Sequence, residues 1–293
     1  MVKDTFVNNS ILSEQCEWAI DLLTYKTEEG NLIIPNSDEI YYLSPFRENA
    51  FWNPILIHYN KNNNNHIFCR SEILSYLFNI LEKYKINTPI VLFTGHSDET
   101  IDEKYLPLLN SSKLLHWYSI NVDIEHDKLT PIPIGINSTK SNVDILDNLT
   151  SQNIIKDNLY YVNIGVGNHR GTKERQKCLQ YAQKDNRFGL TRQEYFEELS
   201  KSYFTLSPNG NGIDCHRHWE SLVLKTIPVV TKSYLTEYFS KIVPMVIIDD
   251  WSQFTPDMLS IDLYKDLWDT HPEADILLKR DGFFTKYIKE YNE

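Results

Sequence analysis

Cysteine is scarce in this chain. There are four in 293 residues (Cys16, Cys69, Cys178 and Cys215), and none forms a C-x-x-C pair. That excludes a disulfide framework and the common zinc and redox spacings, and leaves reduced thiols as the expectation. Cys215 reads as a small packing residue rather than a nucleophile, because no triad order surrounds it. Long apolar runs are also missing. Nothing approaches the roughly 18 consecutive apolar residues of a membrane span. The opening Met1-Val2-Lys3-Asp4 lacks the apolar core of a secretion signal, so a cytoplasmic protein is expected. Positive charge is in deficit, with 29 Lys and Arg against 40 Asp and Glu and a net charge of −11. Duplex nucleic acid or an anionic membrane is thereby disfavoured as a main partner, while a local basic pocket for a small anion is not. His216-x-His218 is no ligand pair, since alternate residues on a helix diverge. No metal site is expected.

What is present suits packed cores: 41% hydrophobic residues, 13% aromatic and 24% charged, with a mean hydropathy of −0.41. The length fits one large or two medium domains. Strand-like runs (Ile40–Leu43, Ile55–His58, Ile90–Thr94, Leu114–Tyr118, Tyr160–Ile164, Tyr203–Leu206, Ile227–Val230 and Met245–Ile248) are interspersed with helical spacings. Those helical spacings fall at Leu12, Cys16, Ile20 and Leu23; at Leu74, Leu77, Phe78 and Leu81; at Thr172–Ala182; at Thr191–Ser202; and in the tail Asp275–Tyr291. The alternation predicts an α/β protein with parallel sheets. The polar stretch Asn137–Asp157 predicts a helix and an interdomain link, which gives domains of 1–150 and 151–293. Asn62–Asn65 reads as a solvated loop.

The most informative segment is Ser207-Pro208-Asn209-Gly210-Asn211-Gly212-Ile213-Asp214-Cys215-His216-Arg217-His218-Trp219-Glu220. An apolar strand leads in, a helix follows, and a second strand, Ile227-Pro228-Val229-Val230, comes after. A glycine-rich loop opening a helix offers backbone N–H groups to an anion. Trp219, Leu222 and Val223 share the buried stripe by spacing, and Arg217 and Glu220 are neighbours on another face. Arg217 can fork onto phosphate oxygens and Glu220 can accept from ribose hydroxyls. The same two residues also fit an exposed i,i+3 ion pair that adds little to stability. The bracketing strands favour the binding reading, because ligands collect at strand C-terminal ends in α/β sheets.

Tyr195-Phe196-Glu197-Glu198-Leu199-Ser200 through Phe204-Thr205-Leu206-Ser207-Pro208-Asn209-Gly210, followed by Arg217-His218-Trp219-Glu220 and Ile227-Pro228-Val229-Val230, resembles the donor-binding signature of exostosin-type glycosyltransferases. The resemblance covers Tyr195 to Val230. A fainter one joins Trp117–Asn121 to Ile132-Pro133-Ile134-Gly135-Ile136. The family implies a GT-B fold, in which two Rossmann-like domains with parallel sheets face a central cleft, the second holding the nucleotide sugar. It also implies inverting transfer to a glycan hydroxyl. The Asp-x-Asp of metal-dependent GT-A transferases is absent, Asp123-x-Glu125 being the nearest approach, so neither a metal nor any other cofactor is expected. The family has Gly-Cys before Ile-Pro where this chain has Lys225-Thr226. That change costs up to about 1 kcal/mol if the turn needs a left-handed residue.

Two further loops enter this reading. Gly165-Val166-Gly167-Asn168-His169-Arg170-Gly171 misses the dinucleotide fingerprint by one residue, and is better read as the first βα loop of the second domain, where Arg170, Lys173 and Arg175 add positive charge. Arg170 or Lys173 is expected to neutralise the diphosphate, and a solvated basic helix start fits each of them equally. Gly95-His96-Ser97-Asp98-Glu99 ends a strong strand, and an acceptor base is expected there: Asp98 first, then His96 and Glu99. A helix N-cap at Ser97 or Asp98 fits equally. Asp123, Glu125 and His126 contact an acceptor or decorate a loop. The donor contacts expected are Arg170, Lys173, Ser207, Pro208, Asn209, Gly210, Gly212, Asp214, His216, Arg217 and Glu220. The partners are a nucleotide sugar and a glycan acceptor, with no nucleic acid. A GT-B epimerase or hydrolase, or an inactive nucleotide- or glycan-binding scaffold, remains as an alternative.

Overall fold

The computed structural model describes residues 89–167 and 170–279, the strands within 18–70, and Ser71, Leu74 and Leu77. The expected loop Asn62–Asn65, most of the helix expected after Ser71, and the tail beyond 279 lie outside the described residues. The chain divides into two compact units between Ile132 and Pro133. The helix Lys140–Thr150, which sequence placed at the end of the first domain, thus belongs with the second unit.

In the first unit the strands are β1 Trp18–Leu22, β2 Glu39–Tyr42, β3 Phe46–Glu48, β4 Phe51–Asn53, β5 Ile55–Tyr59, β6 His66–Arg70, β7 Ile90–Gly95, β8 Leu114–Ser119 and β9 Leu129–Pro131, with a short helix α1, Leu106–Leu109. The main sheet runs β2-β5-β1-β6-β7-β8-β9, and β3 and β4 form a separate antiparallel ribbon. From β1 to β9 every pair is parallel, but β5 is antiparallel to both β1 and β2. The sheet is mixed rather than wholly parallel. Only residues 60–65 separate β5 from β6, too few for a parallel crossover, which needs about a dozen. A second departure is β1 itself. The spacing of Ile20 with Leu12, Cys16 and Leu23 predicts a helix, yet Trp18–Leu22 pairs with β5 and β6. A short apolar run satisfies both periods, and the neighbouring strands decide it; Leu12, Cys16 and Leu23 lie outside the described residues.

The strand β7 is buried along its whole length, as expected of a central parallel strand. Aromatic rings file across its sheet, with Phe93 stacked on Tyr118 at 5.0 Å and edge-on to His66 at 5.4 Å. Beside them Trp117 Nε1 donates to Thr94 Oγ1 (2.9 Å), which pairs with Ser119 Oγ (2.6 Å). Buried polar atoms are satisfied sideways between strands.

The second unit contains α2 Lys140–Thr150, β10 Asn158–Tyr161, α3 Thr172–Ala182, α4 Arg192–Ser200, β11 Ser202–Leu206, α5 His216–Val223, β12 Ile227–Thr231, α6 Tyr234–Phe239, β13 Val246–Ile248, α7 Ile261–Asp269 and α8 Ala274–Leu277. Its four strands lie side by side in chain order, all parallel. Phe204, Leu206, Ile227 and Val229 form the sheet's part of the core, with Cys178, Leu179, Trp251 and Phe254 packed on them. Thr191 opens α4 with a capping box shared with Glu194. Below the sheet, Lys156 Nζ reaches Ser200 O, Ser202 O, Leu224 O and Thr226 Oγ1 at 2.8 to 3.2 Å. One ammonium so caps the C-terminal carbonyls of α4 and the α5 turn.

The end of α5 is a full Schellman turn. Thr226 N bonds Ser221 O (2.8 Å) and Lys225 N bonds Leu222 O (3.0 Å). Lys225 takes the left-handed conformation, at φ 60. The expected cost is met by local contacts. Lys225 Nζ pairs with Asp275 and sits 4.2 Å from the Trp268 ring, and its carbonyl accepts from Tyr264 Oη at 2.8 Å.

Candidate functional site

The loop after β11 lies at the carboxyl end of the second unit's sheet, where the sequence places it, but its interior is knitted more tightly than a glycine-rich loop suggests. Ser207 N donates to Val229 O (2.9 Å), Gly210 N to Gly212 O (3.1 Å) and Asn209 N to Glu174 Oε1 (3.1 Å). Three of the amides expected to grip an anion are therefore used internally. At the start of α5 the N-cap, Cys215, provides no side-chain cap, and His218 N bonds Cys215 O at 2.9 Å. Burial pushes the Cys215 thiol up to about 11 and the Cys178 thiol to about 12, so both are packing groups.

Arg217, the second residue of α5, spans the loop. Its Nε donates to Ser207 Oγ (3.2 Å), Nη1 to Asn163 O (3.3 Å) and Nη2 to Pro208 O (3.1 Å). Arg175, in the first turns of α3, does the same from the opposite side, through Nε to Asn209 O (3.0 Å) and Nη1 to Gly165 O (3.0 Å). A guanidinium carries five N–H groups, so each arginine keeps at least two to offer. Burial and then the neighbouring Arg217 charge lower the Arg175 pKa, so the pair would gain from an anion between them. The nearby carboxylate, Glu174, is engaged by Asn209 N, Thr231 Oγ1 (2.9 Å) and Trp251 Nε1 (3.2 Å). Gly171 closes the packing: a Cβ there would overlap the carbonyl oxygens of Gly210 and Asn209. Arg170 and Lys173 are exposed beside it.

The remaining expected residues fall on the same stretch with different surroundings. Asp214 is buried. Its Oδ2 accepts from Ile134 N (2.6 Å) and its Oδ1 from Trp219 Nε1 (2.7 Å). His216 Nδ1 donates to Gly135 O (2.8 Å), and Gly135 is left-handed at φ 71. These two residues anchor the 133–135 turn onto α5, so the two stretches that carried the sequence resemblance are in contact. Glu220 is not on an exposed face with Arg217. It is 2% exposed, and its Oε1 accepts from Arg192 Nη2 at 2.7 Å. Arg192 itself lies over the Phe196 ring at 4.6 Å and donates to Asn142 Oδ1. Trp219, Leu222 and Val223 form the buried stripe as spaced, but His218 and Ser221 are buried as well. Glu174, Gly171 and Arg192 were missed from sequence. Only the basic cluster after Gly165 pointed toward α3.

In the first unit the expected base residues share one turn after β7. Asp98 is exposed, and Glu99 pairs with Lys104. Ser97 Oγ accepts from Glu99 N (3.0 Å), and Asn121 Nδ2 donates to Ser97 O (3.0 Å). His96 and Asn121, at the ends of adjacent parallel strands, are both left-handed, at φ 52 and 55. Strained non-glycine backbone at strand ends accompanies functional loops. Asp123 and Glu125 are exposed, and His126 Nδ1 accepts from Lys128 N at 3.1 Å. Among the described residues no group of three His, Cys, Asp or Glu comes together to hold a metal, and no helix is long and apolar enough to cross a membrane.

No family model matches the chain, and no curated protein sequence does. Among solved structures it is similar to a UDP-forming α,α-trehalose-phosphate synthase from Burkholderia xenovorans, at 9% identity and a TM-score of 0.45, over 78% of this chain and 73% of that one. At that level the chemistry of the site is left to its own residues.

Proposed function

We propose that the second unit binds the diphosphate of a nucleotide sugar and that the protein is a GT-B glycosyltransferase of exostosin-like type, moving the sugar to a hydroxyl of a glycan acceptor. The observation that carries this is the Arg175–Arg217 pair at the uncapped start of α5, above the carboxyl ends of parallel strands. The resemblance of Tyr195–Val230 to the donor signature supports it. Both guanidiniums are pinned by carbonyl oxygens before any ligand arrives. A preorganised cation stabilises the leaving diphosphate without reorganising as the glycosidic bond breaks. Arg170 and Lys173 add charge at the rim. Glu220, buried with Oε1 held by Arg192, is the proposed partner of a ribose hydroxyl. Asp98 is the proposed base for the acceptor hydroxyl, with His96 and Glu99 behind it, in an inverting, metal-independent transfer.

Calorimetric titration with UDP, GDP and inorganic pyrophosphate tests the reading. Wild type is expected to bind a nucleoside diphosphate. Arg217→Ala should weaken it about 10- to 100-fold, and Arg217→Lys by less, because charge survives but the fork does not. A wild-type protein indifferent to all three ligands would end the proposal.

A further inference from the structure

Residues 186–190 run beside the end of β10 and are fixed there by four hydrogen bonds. Arg187 N donates to Val162 O (2.9 Å) and Asn163 Nδ2 to Arg187 O (3.0 Å). Asn186 takes Ile164 from both sides, Oδ1 accepting from its N–H (2.9 Å) and Nδ2 donating to its carbonyl (3.0 Å). This net displays an apolar patch beside Arg187, which is itself exposed and pairs with Glu198. Phe188 is 67% exposed, with Val166 at 45% and Leu190 at 37%. Gly189, left-handed at φ 96, turns the chain immediately after the ring. A firmly held backbone that presents a bare aromatic contributes little to folding, and exposed apolar patches rimmed by polar groups mark binding surfaces.

Position says what would bind. The Phe188 ring lies on Gly165, so closely that a Cβ there would stand 2.5 Å from Cε2. The Gly165 carbonyl is the one that accepts from Arg175 Nη1. Asn163 gives its carbonyl to Arg217 and its side-chain amide to Arg187 O. The aromatic and both cations therefore hang on the same strand end.

We propose that Phe188 is the stacking platform for the heterocyclic base of the nucleoside diphosphate whose phosphates lie at Arg175 and Arg217. This rests on the diphosphate reading above. A nucleotide presents a charged end and a flat π-face, and this surface offers a guanidinium pair beside a flat ring with no polar atom. Stacking tolerates any base, so the ring supplies affinity and leaves base choice to other contacts.

The test is calorimetry of wild type, Phe188→Ala, Phe188→Trp and Gly165→Ala with UDP, GDP and inorganic pyrophosphate. Removing one stacking contact should lower nucleoside-diphosphate affinity by about 5- to 100-fold in Phe188→Ala, with pyrophosphate binding unchanged. Phe188→Trp should retain the affinity, and Gly165→Ala should lose it as the added methyl lifts the ring. The platform is overturned if Phe188→Ala binds UDP and GDP as wild type does, or loses nucleotide and pyrophosphate in equal proportion. Wild type that binds no pyrophosphate and no nucleotide would instead sink the diphosphate reading itself.

Discussion

Two strand ends in this protein look alike on paper and differ in substance. After β7, the turn Gly95–Glu99 is lightly held: Ser97 caps Glu99, Asn121 braces Ser97 from the next strand end, Asp98 is exposed and Glu99 pairs with Lys104. After β11, the loop from Ser207 is cross-linked to α3, α5 and β12, and the charged groups that hold it are guanidiniums pinned by backbone oxygens. A reachable carboxylate in a light turn suits moving a proton. A fixed cation in a dense loop suits holding charge still. The division of labour proposed for the two units follows from that contrast.

The sharpest way to break it is Asp98→Asn. Transfer should fall by about 10²- to 10⁴-fold, the usual worth of a general base, while the calorimetric Kd for nucleoside diphosphate stays put. Full activity would remove Asp98 from the chemistry. Next in size is Gly171→Ala. The new methyl meets backbone rather than a movable side chain. Denaturant unfolding should show a loss of about 1–3 kcal/mol, as for overpacked cores, together with weaker ligand binding; unchanged stability would mean that the loop is softer than its bonding implies.

Acid should separate the units. His116, in β8, bonds Thr130 Oγ1 at 2.8 Å and lies tilted against the Tyr118 ring, and burial takes its pKa from 6.5 down to about 4. His66, in β6, is lowered by burial too. A folded pKa below the unfolded one means that the unfolded chain takes the proton first. Stability is then fully present above pH 6.5 and lost as pH falls toward 4. The expected loss is about 1–2 kcal/mol after allowance for solvent screening. Hydrogen exchange at pH 7.5 and 5 should show protection falling in β6–β8, and His116→Gln should blunt the fall. Equal loss across β10–β13 would contradict it. The smallest effect is Lys225→Gly. Relief of the left-handed strain and loss of the Trp268 and Asp275 contacts should nearly cancel, within about 0.5 kcal/mol by thermal unfolding. A drop several times larger would show that the side-chain contacts outweigh the turn.

Legibility followed the range of the forces involved. The strand β11, the helix α5 and β12 could be read because an apolar run, a glycine-rich turn and a 3.6-residue stripe are local signals. The left-handed turn at Lys225 was visible as a place where glycine would be easier. The strand β1 was misread because five apolar-rich residues satisfy either period until β5 and β6 pair with them. Glu220 was misplaced because nothing near it in sequence announces Arg192, which arrives from another helix. The anchoring roles of Glu174 and Gly171 depend on contacts with residues some 35 or more positions away, beyond what spacing encodes.

The ammonium of Lys156 faces three backbone carbonyls and a hydroxyl, gathered from the ends of two helices and a strand. An amine so enclosed is closed to acylating reagents until those ends part. Its rate of chemical labelling is thus a clock for the parting of these helix and strand ends in the second unit, one that can be read by mass spectrometry without any substrate in hand.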